Sequence, residues 1–405
     1  RGGLTTMSNR QDNAITILLG LEGYSVGRIW EKGDRVIVEV GIRGRQKCPY
    51  CGSGRLYRHG RCKAREVLHT WVNRRKVYLK LHRSRWRCCD CKHTFIDSRR
   101  LIRPYSRLSI QAESEALWQL KERNFSQVKR QLGIGYSTLR ALLERETGLM
   151  LEFLKDKDEI YLGIDEHSFR HQELVYTVAE VKMRKMLGIL KDDRIATLKE
   201  FLRKIPPDKV KEVCIDMKMG LKKAIEDLFP KARVVVDPFH VIADANKRID
   251  EARRIEQELS ERKTRIPKKI FLIGRERLSK EKREKVDALL KKYPCLKGFY
   301  WAKEKIRKLY QQKSWEKASR LLDNIILNLK SEDDAELVRW GNTLKRWRDS
   351  ILNHFYNHTT NGFTEGCHTK IKMLKRISFG LRNVEVYRRK MLLGFMPPEP
   401  CFHTI

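Results

Sequence analysis

An α/β fold organised around one sheet is predicted by three features of the chain. Residues 210–241 read as a buried strand over Val210–Ile215, an amphipathic helix with Leu221, Ala224, Ile225 and Leu228 at helical spacing, and a second buried strand over Val234–Val236. Both strands end in an aspartate, Asp216 and Asp237. Upstream, IYLGID, ELVYTVAEVK and KMLGIL read as three strands with short connections, and IATLKEFLRKI reads as an amphipathic crossover helix. In open α/β sheets function gathers at the carboxyl ends of strands. An aspartate after a strand also suits a helix N-cap, so Asp216 acquires weight from what surrounds it.

The chain has 405 residues, enough for two to four domains, and Lys and Arg outnumber Asp and Glu by 87 to 51, a formal charge of +36. The excess is spread along the chain, which points to an extended polyanion, nucleic acid first, rather than a small acidic ligand. A membrane is disfavoured because no segment approaches the roughly 20 apolar residues of a span, and no signal peptide pattern opens the sequence. Ten cysteines in a chain expected to be intracellular argue for metal binding where they cluster, not for a disulfide scaffold.

Residues 7–100 read as a zinc-ribbon β module. Ile15, Ile17 and Leu18, and later Val36, Ile37, Val38 and Val40, suit short strands. Cys48 and Cys51 in CPYCG and Cys88 and Cys91 in CCDC form two C-x-x-C knuckles, the ligand set of a closed structural zinc site. The 36 residues between Cys51 and Cys88 exceed ordinary ribbon spacing, and His59, Cys62 and Cys89 are alternative ligands. Arg43, Arg45, Arg55, Arg58, Arg61, Arg74, Arg75, Arg83, Arg85 and Arg87 surround the knuckles and suit phosphate. Residues 101–150 read as a helix-turn-helix domain, in which Ser126 caps a helix through Leu132, Gly133 turns, and Tyr136 or Ser137 opens the next helix. With Leu139, Leu142 and Leu143 inward, Ser137, Thr138, Arg140 and Arg145 face a major groove.

Residues 158–241 carry the order β-β-β-α-β-α-β, that of a ribonuclease-H-like fold, with Asp165 ending the first strand. In that fold the first strand is central and the fourth lies beside it. Neighbouring strands lie about 4.8 Å apart, so Asp165 and Asp216 can share a pair of cations about 4 Å apart. Asp237, one strand further out, remains the rival for the second carboxylate. Residues 242–350 switch to helix broken at Pro267 and Pro294, a helical insertion whose Trp301, Trp315, Trp340 and Trp347 read mostly as core. Residues 351–405 return to the core: a helix from about Asn361 buries Phe363, Cys367, Ile371 and Leu374 and sets Glu365, Thr369, Lys372 and Arg376 on another face. A carboxylate near the helix start with cations beyond it suits a metal site continuing into a phosphate track, although Glu365 also suits the helix dipole.

The CPYCG and CCDC knuckles, GIDE (163–166), CIDMKMGLKKAIEDLFPKA (214–232), DPFHV (237–241) and TNGFTEGCHTKIKMLKR (360–376) together resemble bacterial insertion-sequence transposases of the DDE type, in particular the ISL-three group close to Mutator-like enzymes. The resemblance covers most of the chain. It implies a catalytic triad of Asp165, Asp216 and Glu365, with Asp237 and His240 as a D-x-x-H element organising the site, and Asp237 as the alternative second carboxylate. It implies two Mg²⁺ ions, replaceable by Mn²⁺, a structural Zn²⁺, and double-stranded DNA held in part by Lys370, Lys372, Lys375 and Arg376. It further implies recognition of terminal inverted repeats, strand cleavage and transfer into target DNA, a homodimer, and a cytoplasmic, nucleoid-associated location. A DNA-binding regulator on the same modules predicts binding without cutting, and a structure-specific nuclease predicts cutting of branched DNA without inverted repeats.

Overall fold

The computed structural model describes residues 9–44, 46–96, 101–147, 151–259 and 265–396. Arg45, Met7, the segment boundaries at 97–100 and 148–150, and the tail from 397 lie outside the described residues. The chain forms two units: one holds the described residues up to Thr147 with Leu374–Leu381, the other those from 151 to Met373 with Arg382–Phe395.

The first unit runs α1 (Asn9–Leu18), β1 (Tyr24–Lys32), β2 (Arg35–Ile42), β3 (Leu56–Arg61), β4 (Arg65–Val72), β5 (Arg75–His82), β6 (Ser84–Cys88), β7 (Thr94–Ile96), α2 (Ile110–Glu122), α3 (Phe125–Leu132) and α4 (Tyr136–Glu146). Residues 15–18 are helical rather than extended. Ile15 and Leu19, four apart, turn inward while Ile17 and Leu18 face out, which is the period of a helix. Two sheets follow, in the orders β1-β2-β5-β4 and β3-β6-β7. These orders account for the long spacing between the knuckles: after β3 the chain leaves the ribbon, lays the β4–β5 hairpin into the other sheet, and returns as β6. Fully buried His69 joins the pieces, with Nε2 2.7 Å from the Leu19 carbonyl and Nδ1 2.9 Å from Ser109 Oγ, the N-cap of α2. In the helical segment the cap of α3 is Asn124, in a capping box with Gln127, not Ser126. Asn124 wins because its side chain reaches the N3 amide while Gln127 returns the bond. Gly133 closes α3 at φ 68°, a left-handed position that suits glycine.

The second unit begins with β8 (Ile160–Arg170), β9 (Glu173–Glu180), β10 (Lys185–Ile189), α5 (Ile195–Leu202), β11 (Val210–Ile215), α6 (Met219–Leu228) and β12 (Arg233–Val236). The sheet order is β10-β9-β8-β11-β12, with β8, β11 and β12 parallel and β9 and β10 antiparallel. Asp165 does not end its strand. The parallel ladder with β11 stops at Gly163–Cys214, but the antiparallel ladder with β9 carries β8 on to Arg170. Continuing both parallel registers by two and one residues sets Asp165, Asp216 and Asp237 at one level across three neighbouring strands.

Helices complete the unit: α7 (Pro238–Leu259), α8 (Lys269–Leu272), α9 (Lys280–Lys292), α10 (Leu296–Leu309), α11 (Trp315–Lys330), α12 (Ala335–Leu352), α13 (His354–Asn357), α14 (Gly362–Ile377, of which the part up to Met373 belongs to this unit) and α15 (Val384–Leu393). Residues of α7–α12 share one continuous apolar core with the sheet, from Leu154 to Phe355. Trp340 and Trp347 lie inside it, whereas Trp301 is 39 % exposed. No helix among the described residues is long and apolar enough to cross a membrane.

The polar run 353–361 is a clamp on the sheet. Asn353 donates to the Val234 carbonyl at 2.9 Å, Asn357 donates to buried Glu212 at 2.6 Å, Thr359 donates to the other oxygen of Glu212, and Asn361 donates to the Ile164 carbonyl at 3.1 Å. The start of α14 is thereby held against β8, where only glycine fits. A Cβ on Gly163 would lie 2.5 Å from Val181 Cγ1, 2.6 Å from Asn361 Oδ1 and 2.8 Å from Thr364 Oγ1. Gly163→Ala is therefore expected to cost about 1–3 kcal/mol through overpacking. A thermal melt that matches the wild type would show that α14 does not rest on this strand.

Candidate active site and metal centres

The carboxyl end of the sheet in the second unit gathers four carboxylates and an imidazole. Asp165 comes from the middle of β8, Asp216 follows β11, Asp237 follows β12, His240 lies in the first turn of α7, and Glu365 in the first turn of α14. Ligand atoms of Asp165, Asp216 and His240 lie within 4.8 Å of one another, and so do those of Asp237, His240 and Glu365. The structure thus brings all five expected residues into two triplets that share His240. Glu365 groups with Asp237, whereas Asp165 groups with Asp216.

Burial makes this collection costly. The Asp165 carboxyl is pushed up to about 6, by burial first and then by the charge of Asp216. Asp237 is also pushed up to about 6, by burial first, with Glu365 adding to it and His240 opposing. For His240 burial disfavours the imidazolium, but Asp216, Asp165 and Asp237 outweigh it and hold the ring above its ordinary value. His240 Nε2 lies 2.7 Å from Asp216 Oδ1 as a close charge pair. Among the described residues, buried Asp237 Oδ2 has no hydrogen-bond partner, and Asp216 Oδ1 and His240 Nε2 have only each other. Buried polar atoms are ordinarily satisfied. An unpartnered Asp237 oxygen among mutually repelling carboxylates fits a divalent cation, which supplies a partner and the missing positive charge.

In the first unit the four knuckle cysteines form a second centre. Cys48 Sγ lies 3.5 Å from Cys91 Sγ and Cys51 Sγ 3.6 Å from Cys88 Sγ, and all four sulfurs lie within 4.8 Å of one another. Tetrahedral Zn–S bonds of about 2.3 Å require sulfurs about 3.8 Å apart, so the pocket matches zinc. The Asp90 amide donates to Cys88 Sγ at 3.4 Å, as in a metal knuckle. His59, Cys62 and Cys89 are outside the cluster.

With this geometry established, comparison with known proteins assigns the chain. The model of ISL3-type DDE enzymes, described as transposase, matches residues 162–391. The chain belongs to this transposase family. Over 401 residues it is 23 % identical to the transposase for insertion sequence element IS1001 of Bordetella parapertussis, spanning 93 % of this chain and 96 % of the relative. The protein is a transposase, and membership of a DDE family makes it a DNA-processing enzyme.

The expected DNA-contacting residues of this transposase occupy different environments. Ser137 and Thr138 are exposed in the first turn of α4. Arg140 pairs with Glu144 at 2.7 Å along the same helix. Arg145 reaches the buried carboxylate of Glu113 at 2.7 Å, which Arg103 also holds at 3.0 Å, so it carries an ion pair inside the helical segment. On α14, Lys370, Lys372 and Arg376 are exposed and Lys375 is half-buried. The sequence reading missed Asn361, Thr364 and His368, which are buried on that helix or at its start. Their signal was their spacing with Cys367, Ile371 and Leu374, hidden because they are polar.

The raised carboxyls fix the sign of a pH effect on the metal-free protein. Asp165 and Asp237 contribute stability that is fully present below the unfolded value near 3.8 and is lost as pH rises through about 6. In chelator, Asp237→Asn is expected to raise the melting temperature at pH 8 and leave it unchanged at pH 3.5. A lower melting temperature at pH 8 would contradict the burial argument. For the cysteine centre, metal analysis of Cys88→Ser is expected to find zinc lost from the chain and an earlier-melting first unit; a full zinc content would remove Cys88 from the ligand set.

Proposed function

We propose that this transposase binds the terminal inverted repeats of its element and catalyses DNA strand cleavage and strand transfer at the carboxylate cluster. The observation that carries the reading is the pair of carboxylate triplets on one sheet edge inside the family-matched region 162–391. The strand order supports a ribonuclease-H-like core, and the three helices α2–α4 support a helix-turn-helix. Asp165, Asp216 and Glu365 are the catalytic carboxylates of this reading, and the grouping of Glu365 with Asp237 promotes Asp237 from an organising role to a fourth ligand.

Asp165 and Asp216 would hold one divalent cation and Asp237 and Glu365 another, with His240 between them. Mg²⁺ suits the carboxylate oxygens, and Mn²⁺, more tolerant of imidazole, substitutes. When bound, such ions supply charge stabilisation to an in-line phosphoryl transfer and make water or a DNA 3′-hydroxyl a competent nucleophile. The chain's own groups do the rest. Asp237 accepts the amides of Asn361 and Phe239, which fixes its carboxylate. The Glu212 clamp sets the entry angle of α14 and hence the place of Glu365. Lys370, Lys372, Lys375 and Arg376 continue from Glu365 along α14 and hold phosphates. Ser137 and Thr138 with the arginine-rich zinc module read the repeat. Pairing of two element ends implies a homodimer, acting in the bacterial cytoplasm at the nucleoid.

The test is cleavage of a labelled duplex carrying the inverted repeat that flanks the gene, with Mg²⁺ or Mn²⁺, against a scrambled duplex. Nicking at the repeat end is expected, with Asp165→Asn, Asp216→Asn and Glu365→Gln each reducing the rate at least about 100-fold. Asp237→Asn is expected to fall with them, and a wild-type rate in that variant would return Asp237 to an organising role. Tight binding without cutting under either metal would make the protein a DNA-binding regulator. Cutting only of branched DNA would make it a structure-specific nuclease.

A further inference from the structure

Behind Asp165 lies a line of buried polar groups that no step of the proposed reaction uses. His368 follows Glu365 by three residues on α14, and its Nδ1 lies 3.4 Å from Asp165 Oδ2. Its Nε2 lies 3.1 Å from Thr177 Oγ1. Thr177, the cross-strand partner of Asp165 on β9, lies 2.8 Å through Oγ1 from His167 Nδ1. His167 Nε2 lies 2.7 Å from Tyr387 Oη on α15. Tyr387 and Thr177 are fully buried, and both histidines nearly so.

One assignment of hydrogens satisfies the three hydrogen bonds from Tyr387 to His368. Tyr387 donates its hydroxyl proton to His167 Nε2, His167 donates Nδ1–H to Thr177, and Thr177 donates its hydroxyl proton to His368 Nε2. His368 is left with Nδ1–H directed at Asp165 Oδ2. Both imidazoles are then neutral and share the same tautomer. Asp165 Oδ1 already accepts the Glu166 amide at 2.7 Å, and Oδ2 faces the His368 ring edge at 3.4 Å, an ion-pair distance. Hydrogen bonds aligned in one direction in a dry interior strengthen one another. Outer-shell partners of this kind orient a metal-binding side chain.

We propose that Tyr387, His167, Thr177 and His368 form a positioning relay that fixes the orientation of the Asp165 carboxylate toward its cation. The relay also ties that carboxylate to the helix that carries Glu365, because His368 belongs to α14. It joins β8, β9, α14 and α15, so ligands from distant parts of the chain are set by one chain of bonds. None of the four residues contacts the reacting atoms; they act through Asp165. The inference rests on the proposed metal-binding role of Asp165.

The test is Mn²⁺ binding to the full-length protein without DNA, followed by the spectrum of the bound ion, with thermal melts as the check on folding. Thr177→Val keeps the shape and removes the hydroxyl. Thr177→Ser retains it. Tyr387→Phe removes one oxygen three links from the carboxylate. Thr177→Val and His368→Ala are expected to weaken Mn²⁺ binding about 10-fold or more, Tyr387→Phe in the same direction by less, and Thr177→Ser to bind as the wild type. Wild-type affinity in a folded Thr177→Val and a folded Tyr387→Phe, with Asp165→Asn weakened, overturns the relay while the metal site stands. Unchanged binding in Asp165→Asn overturns the metal-binding role on which the relay rests, and the relay with it.

Discussion

Like charge gathered in a dry place is the constraint on which the second unit is built. Three aspartates stand at one level across β8, β11 and β12, and Glu365 is brought in by α14. Their mutual repulsion and loss of water oppose the fold unless positive charge is present. His240 supplies part of it from within the chain, lying 2.7 Å from Asp216 and among the ligand atoms of both triplets. The sheet can tolerate the cluster because its core is large and continuous with the helices. Stability generated far from the carboxylates thus holds them together against their repulsion.

The zinc module solves the opposite problem. In the β3-β6-β7 ribbon most side chains of β3 and β7 are exposed or half-buried, so the ribbon has little apolar surface to bury. A small sheet without such a face is marginal in water. Four thiolates on two tight turns supply the missing stabilisation when they hold metal. The neighbouring β1-β2-β5-β4 sheet needs no such help, because Leu21, Val38, Val67 and Leu79 give it a fully buried core.

The core strands and their aspartates were legible because period, length and terminal residue agree: a buried run, then a carboxylate, then a helix. The two knuckles were legible for the same reason, since cysteine pairs at fixed spacing have few other uses. Residues 15–18 were not, because the three apolar residues Ile15, Ile17 and Leu18 fit either period until Leu19 is included. The extent of β8 was hidden as well. Asp165 lies two residues beyond the end of one ladder and in the middle of another, and a strand's two edges leave no separate trace in sequence. The polar run 353–361 reads as loop, yet its asparagines and threonine bond Glu212 and sheet carbonyls. Buried polar networks escape a reading based on apolar periodicity, which is also why His368 and Thr177 went unremarked.

The helices between Asp237 and Glu365 interrupt the core in sequence but not in space. Helix α7 starts at Pro238, immediately after Asp237, and Val241, Ala245 and Ile249 on it enter the core shared with the sheet. His240 precedes the first of these by one residue, so its ring is aimed by how α7 packs. The far end of the helical segment returns through α12 and α13 into the clamp that seats α14. Both ends of the segment therefore terminate at the site, one setting His240 and the other Glu365. A helical segment fixed at both ends in this way sets the second triplet against the first, so the two groups of carboxylates are positioned by the same packing.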